Sequence, residues 1–190
     1  MPRIFSEEDR KIIHSKLINI GLDSLKTKGY REISLDDVTA KAGIAKGTFY
    51  NFFPSKERYF YEIMQKIKED NRVELRELLA EGMPKKEKLE AYFYKRYTCN
   101  NTVYSYFTAE EISRIMRTIP QDDPDNDSVE FARDLLVSIE ERKTDFKPEV
   151  VVNLCNVLAL ASTNQDLLEK TGYEETIRVL VKALADYLYG

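Results

Sequence analysis

Lys46, Gly47, Thr48, Tyr50 and Asn51 lie close together in the chain, and their combined chemistry is that of contact with duplex DNA. The ammonium supplies charge for a phosphate or a guanine edge. The hydroxyls and the carboxamide supply hydrogen-bonding groups for phosphates and base edges. Gly47 has no side chain, so another backbone can come close. Lys56 follows in the first turn of the next helix, where a helix N-terminus forms a natural phosphate site. Ser34, at the head of the same stretch, completes the set of DNA-facing candidates. Phe49, Phe52 and Phe53 are interleaved at three- and four-residue spacing, which points them inward as anchors.

The elements that must position these residues lie between Ser34 and Lys56. Ser34 is a helix N-cap, and Asp37 three residues on completes a capping-box-like pair. Leu35, Val38 and Ala42 share one helical face. Gly43 stands where that helix must stop, at a position that favours a left-handed residue. Ile44 turns back to the core and a second helix starts near Ala45. A short helix, a glycine turn and a second helix with an outward polar face form helix-turn-helix grammar. Before it, Ser6 caps a helix over 7–28, with Ile13, Leu17, Ile20 and Ser24 inward and Gly29 as its end. Arg3, Arg10 and Lys11 there read first as a solvated basic face, with contact to the DNA backbone as the alternative, and His14 as an ordinary surface or core-edge residue.

Ala42-Gly43, Gly47-Thr48, Phe49-Tyr50, Phe53 and Ser55-Lys56-Glu57 occur in the order and spacing of a known pattern. The string AGIAKGTFYNFFPSKERYF closely resembles the DNA-binding domain of the TetR/AcrR family of transcriptional regulators. The likeness covers the first third of the chain. It departs at Ala45, where the family often has a serine or threonine cap, a loss of about 1 kcal/mol. The resemblance implies an all-α protein of about nine helices. Residues 1–53 would form a three-helix helix-turn-helix DNA-binding domain. Residues 54–190 would form a helical ligand-binding and dimerisation domain, with 54–82 as a connector that moves as a lever between ligand and DNA. It implies a repressor released from a palindromic operator by a small-molecule effector; an activator or a helical protein-interaction adaptor with the same fold is the alternative.

Composition agrees with this division. The 190 residues are 43% hydrophobic and 33% charged, an ordinary globular balance. Net charge is −4, but residues 1–60 hold 11 Lys/Arg against 8 Asp/Glu and the remainder 18 against 25. The basic balance sits with the helix-turn-helix, as phosphate contact requires. Cys99 and Cys155 are far apart, and His14 is the one histidine. Neither a disulfide framework nor a metal site is suggested, and a reducing cytoplasm is the expected compartment. The longest apolar stretch, Val150–Ala161, is short and broken by Asn153 and Asn156, so no membrane span is expected. The tail has no histidine, no glycine-rich phosphate loop and no nucleophile elbow, so the reading is not an enzyme, and no cofactor is expected.

A long helix over 56–80 carries Phe60, Ile63, Met64, Ile67, Leu75 and Leu78 on one stripe. Beyond Lys85 the pattern predicts helices near 86–100, 103–118, 128–144, 148–166 and 173–189. Phe93, Tyr97, Tyr104 and Phe107, with Arg96 and Asn100 as polar groups, would suit the lining of a small-molecule site; packed core is the alternative for each ring. The last two helices carry apolar sets at Val151, Leu154, Cys155 and Leu158, and at Ile177, Leu180, Val181, Leu184 and Leu188. Pairing them with the same helices of a second copy gives a two-fold four-helix interface, the arrangement that the resemblance implies for a homodimer.

Overall fold

A computed structural model describes residues 6–81, 85–99, 102–120, 145 and 147–189. Among them every regular element is helical: α1 (Glu7–Lys28), α2 (Leu35–Ala42), α3 (Lys46–Phe49), α4 (Lys56–Ala80), α5 (Lys85–Thr98), α6 (Ala109–Met116), α7 (Pro148–Thr163) and α8 (Tyr173–Tyr189), with short 3-10 turns at Val103–Ser105, Gln165–Leu167 and Lys170–Gly172. The expected helix over 128–144 lies outside the described residues.

Contacts divide the chain into two compact units, residues 1–66 with 106–120 and residues 67–105 with 121–190. The expected division fell between residues 53 and 54. The first part of α4 and all of α6 cluster with the helix-turn-helix, because their large apolar residues supply much of its core.

The first unit, here the head, is built on an aromatic cluster. Phe49, Phe53, Tyr59 and Phe60 are fully enclosed. Successive rings meet edge to face or tilted, with centroids 5.3 Å apart for Phe49–Phe53, 4.9 Å for Phe53–Tyr59 and 5.1 Å for Tyr59–Phe60, the geometry that aromatic quadrupoles prefer. Tyr30 and Phe107 extend the cluster from Phe60. Gly21 of α1 lets α4 approach: a Cβ there would run into Tyr59 and Ile63. The Tyr59 hydroxyl crosses the gap to donate to the Leu17 carbonyl at 2.6 Å.

α6 begins where the sequence predicted the middle of a longer helix. Thr108 and Glu111 form a full capping box, each side chain bonded to the other's backbone, so the chain restarts there after the 3-10 turn. Glu111 is buried and also accepts from Nε of Arg31 at 2.8 Å, which fastens α6 to the α1–α2 connection.

The second unit, the tail, packs the latter part of α4 with α5, α7 and α8. Its core holds Leu75, Leu89, Tyr92, Phe93, Tyr97, Val151, Leu158, Ile177, Val181, Leu184 and Leu188. Each buried aliphatic side chain of this kind contributes about 1.5–3 kcal/mol. Lys88 is fully enclosed too, and its ammonium donates to the Leu78 carbonyl near the end of α4 at 2.6 Å. A cation at a helix C-terminus is favourably placed in the helix dipole.

Candidate nucleic-acid interface

α2 starts on Ser34, whose hydroxyl accepts from the Asp37 amide at 3.1 Å; the return bond of a full capping box is not formed. Gly43 ends α2 with φ 73° and ψ 32°, the left-handed conformation expected of it. Lys16 reaches over from α1 and donates to the Ala42 carbonyl at 2.9 Å, which satisfies one of the open carbonyls at that helix end. The turn is therefore fixed by a glycine and by a lysine from a neighbouring helix.

α3 is a single turn, shorter than the 45–53 span expected. Ala45 makes no side-chain cap bond, and hydrogen-bonded turns continue the chain to Phe53. A helix this short has no stability of its own. It is held by Phe49 and Phe53, which are buried, and by Phe52, half-buried beneath the Arg10 guanidinium at 5.1 Å. Arg10 also donates to the Asn51 carbonyl at 3.2 Å. Sequence reasoning offered Arg10 a solvated basic face or a contact with the DNA backbone; a role in holding α3 depends on long-range packing, which periodicity does not report.

With these anchors inward, Lys46, Gly47, Tyr50 and Asn51 are exposed, Thr48 is half-buried beside them, and Ser34 is exposed at the start of α2. Nothing lies within 4 Å of where a Gly47 Cβ would stand, so the fold itself does not demand glycine there. Lys46 pairs with Asp36 of α2 at 2.9 Å, and this hydrogen bond raises its pKa.

Lys56 occupies a different place from the phosphate site expected of it. Its Nζ donates to the Ile33 carbonyl at 2.7 Å and lies 5.1 Å from the Tyr30 ring centroid and 5.6 Å from that of Phe60. Burial pulls its pKa below the usual lysine value. The residue that caps α4 is Ser55, whose hydroxyl accepts from the Arg58 amide.

The tail candidates separate. Phe93 and Tyr97 are core residues, stacked with centroids 6.1 Å apart. Arg96 donates from Nη1 to the Tyr92 hydroxyl at 2.9 Å. Tyr104 is half-buried against the same core. Phe107 belongs to the head, where its ring meets Tyr30 and Phe60. Asn100 lies outside the described residues. Of the apolar set assigned to a dimer interface, Val151, Leu158, Ile177, Val181, Leu184 and Leu188 are buried within one chain, and Leu154, Cys155 and Leu180 are half-buried. They are the tail's own core. The opposite faces are the open ones: Asn153, Asn156, Val157 and Leu160 on α7, and Val179, Lys182 and Ala183 on α8. Val157, Leu160 and Val179 are 47%, 46% and 58% exposed.

Fold and site together define a head of helix-turn-helix type and an all-helical tail. Residues 17–63 match the family described as bacterial regulatory proteins, tetR family. The transcriptional regulator AcuR of Cereibacter sphaeroides is 38% identical over 48 residues, 25% of this chain and 22% of its own. The HTH-type transcriptional repressor DhaR of a Mycobacterium species is 29% identical over 85 residues, 44% of this chain and 43% of its own. The chain thus spans less than half the length of these curated relatives. A TetR-family regulator of Pectobacterium atrosepticum shares the fold across 98% of this chain and 99% of its own, with a TM-score of 0.64 at 17% identity. Residues 17–63 thus carry a helix-turn-helix of the tetR family, and the whole chain shares the fold of TetR-family regulators. No helix among the described residues is long and apolar enough to cross a membrane.

Proposed function

We propose that the protein is a cytoplasmic repressor that binds a palindromic operator as a homodimer and is released by a small-molecule effector held in the tail. One observation carries the DNA reading. The aromatic anchors of the head turn Lys46, Gly47, Tyr50 and Asn51 outward on the element that enters the major groove in helix-turn-helix proteins. Ser34 and Thr48 flank them, and Lys56 supports them from inside the head.

The exposed faces of α7 and α8 support dimerisation. Val157 and Leu160 on α7, with Asn153 and Asn156 exposed beside them, and Val179 on α8, with Lys182 and Ala183 exposed beside it, are the apolar side chains that a two-fold pairing would cover. One single-turn helix contacts few base pairs, and a two-fold doubles the contact while requiring a palindrome. The aromatic centre of the tail supports an effector site. An effector that favours a conformation unsuited to the operator lowers DNA affinity, and DNA lowers effector affinity by the same factor.

Selection from random duplexes with the full chain, followed by footprinting, tests the reading. The expected product is an inverted repeat with half-sites about one helical turn or more apart, bound with an affinity that falls steeply with salt. Failure to enrich any duplex at low salt would overturn it.

A further inference from the structure

Among the described residues, Arg96 is a cation without a carboxylate partner. Its Nη1 is committed to the Tyr92 hydroxyl, and that hydroxyl donates onward to the Asn71 carbonyl at 2.8 Å. The guanidinium carbon lies 6.0 Å from the Tyr92 ring centroid and 5.9 Å from that of Tyr97. The Tyr97 hydroxyl is occupied by the Cys155 carbonyl. Nε of Arg96 is enclosed and has no hydrogen-bond partner. No carboxylate of a described residue pairs with the guanidinium, although ion pairs are frequent elsewhere in the chain.

An arginine cannot escape this by losing its proton. A half-buried cation that lacks a counter-ion and has its Nε enclosed is destabilised, and ring faces offset only part of that. A buried donor left open therefore calls for a partner from outside the described chain. The geometry of the unpaired edge says which. With Nη1 taken, the Nε–Nη2 edge remains, two parallel N–H groups at the spacing of a carboxylate's two oxygens. One positive charge among phenols and aliphatic groups matches a monoanion; a doubly charged phosphate would bring a second charge that nothing nearby neutralises. The flanking rings favour an apolar or aromatic body.

We infer that Arg96 is the anchor of the tail's effector site and that the effector is a small organic monocarboxylate with an apolar body, seated through its carboxylate on the Nε–Nη2 edge of Arg96 between Tyr92 and Tyr97. This deepens the proposal of an effector site and rests on it.

Titration calorimetry and thermal unfolding of the full chain with benzoate, octanoate, their amides benzamide and octanamide, and phenyl phosphate test it. At least one acid is expected to bind and to raise the melting temperature, with its amide weaker by at least tenfold. Arg96→Met should abolish the difference between acid and amide. Arg96→Lys, which keeps the charge and loses the fork, should weaken the acid and keep its preference over the amide. Ligand-free Arg96→Met should melt at or above the wild-type temperature, since it removes an unpaired cation and fills the same space; a purely structural arginine would lower it. Equal binding of acid and amide, tighter binding of phenyl phosphate than of benzoate, undiminished acid binding by Arg96→Met, or no acid bound by a wild-type protein that still binds its operator would each overturn the assignment. An acid that binds through Arg96 without releasing DNA would uphold the site and sink the effector reading.

Discussion

The ammonium of Lys56 donates to the backbone carbonyl of Ile33 at 2.7 Å, which ties the first turn of α4 to the connection between α1 and α2. A charged donor inside the head makes this lysine a fastener of the fold. Lys56→Met should destabilise the head by about 1–3 kcal/mol, because the Ile33 carbonyl loses its partner. The salt dependence of DNA affinity should stay unchanged. Thermal unfolding and a salt titration of duplex binding check both; wild-type stability with a slope shallower by about one phosphate would return the ammonium to the DNA.

Gly47 faces open space. Gly47→Leu should therefore fold as well as wild type or slightly better, since leucine is the better helix former by roughly 0.5–1 kcal/mol. On duplex DNA the same side chain would collide, and affinity should fall at least tenfold, by about 1.4 kcal/mol or more. Fluorescence anisotropy beside a melting curve separates the two effects. Unchanged affinity would mean that no DNA backbone approaches this position.

Asp36 holds Lys46 in an exposed pair at 2.9 Å. Exposed pairs open at little cost, and the carboxylate repels phosphates. Asp36→Asn should tighten DNA binding by roughly two- to fivefold at low salt, with the gain shrinking as salt rises. A loss of affinity would show that the pair aims Lys46 and that its restraint matters more than its charge.

The two faces of α7 should respond differently to substitution. Val157→Asp or Leu160→Asp should leave each chain folded and give monomers by analytical ultracentrifugation. Leu158→Ala, which opens a cavity in the tail core, should cost about 2–5 kcal/mol of stability. If the Leu160→Asp protein sediments as the wild type does, the interface lies elsewhere.

Alkaline pH should unfold this protein through its tyrosines. Burial raises the pKa of Tyr30, Tyr59, Tyr92 and Tyr97. Their phenols are kept neutral in the folded state while the unfolded chain ionises near the ordinary value of about 10. The stabilisation is complete below that value and is lost as pH rises through the folded values. Tyr59→Phe should show a shallower decline above about pH 10, followed by denaturant titration with tyrosinate absorbance. An identical decline would remove Tyr59 from the account.

The head was the legible part of the sequence. Glycine at residue 43, serine at 34 and phenylalanines at three- and four-residue spacing each have one conformational meaning, and the structure gives them that meaning. α6 carried an equally clear signal in Thr108 and Glu111, which the run of helix-forming residues around it obscured. The apolar faces of α7 and α8 were ambiguous for a physical reason. A helix apolar on two sides tells nothing of which side its own chain will cover, and here the leucine- and valine-rich stripe went inward. Lys56 and Arg96 show the same limit for charge: sequence gives the cation, and only packing gives what it meets.

α3 borrows all of its rigidity. Phe49, Phe53 and the bond from Arg10 to the Asn51 backbone hold the turn from behind, with the Tyr50 ring edge-on to Phe49; the side chains at 46, 47 and 51 add only the exposed Lys46–Asp36 pair. Positions 46, 47 and 51 can therefore be rewritten freely, so a library randomised there should yield folded molecules throughout and new operator preferences among them, with no compensating change required in the rest of the chain.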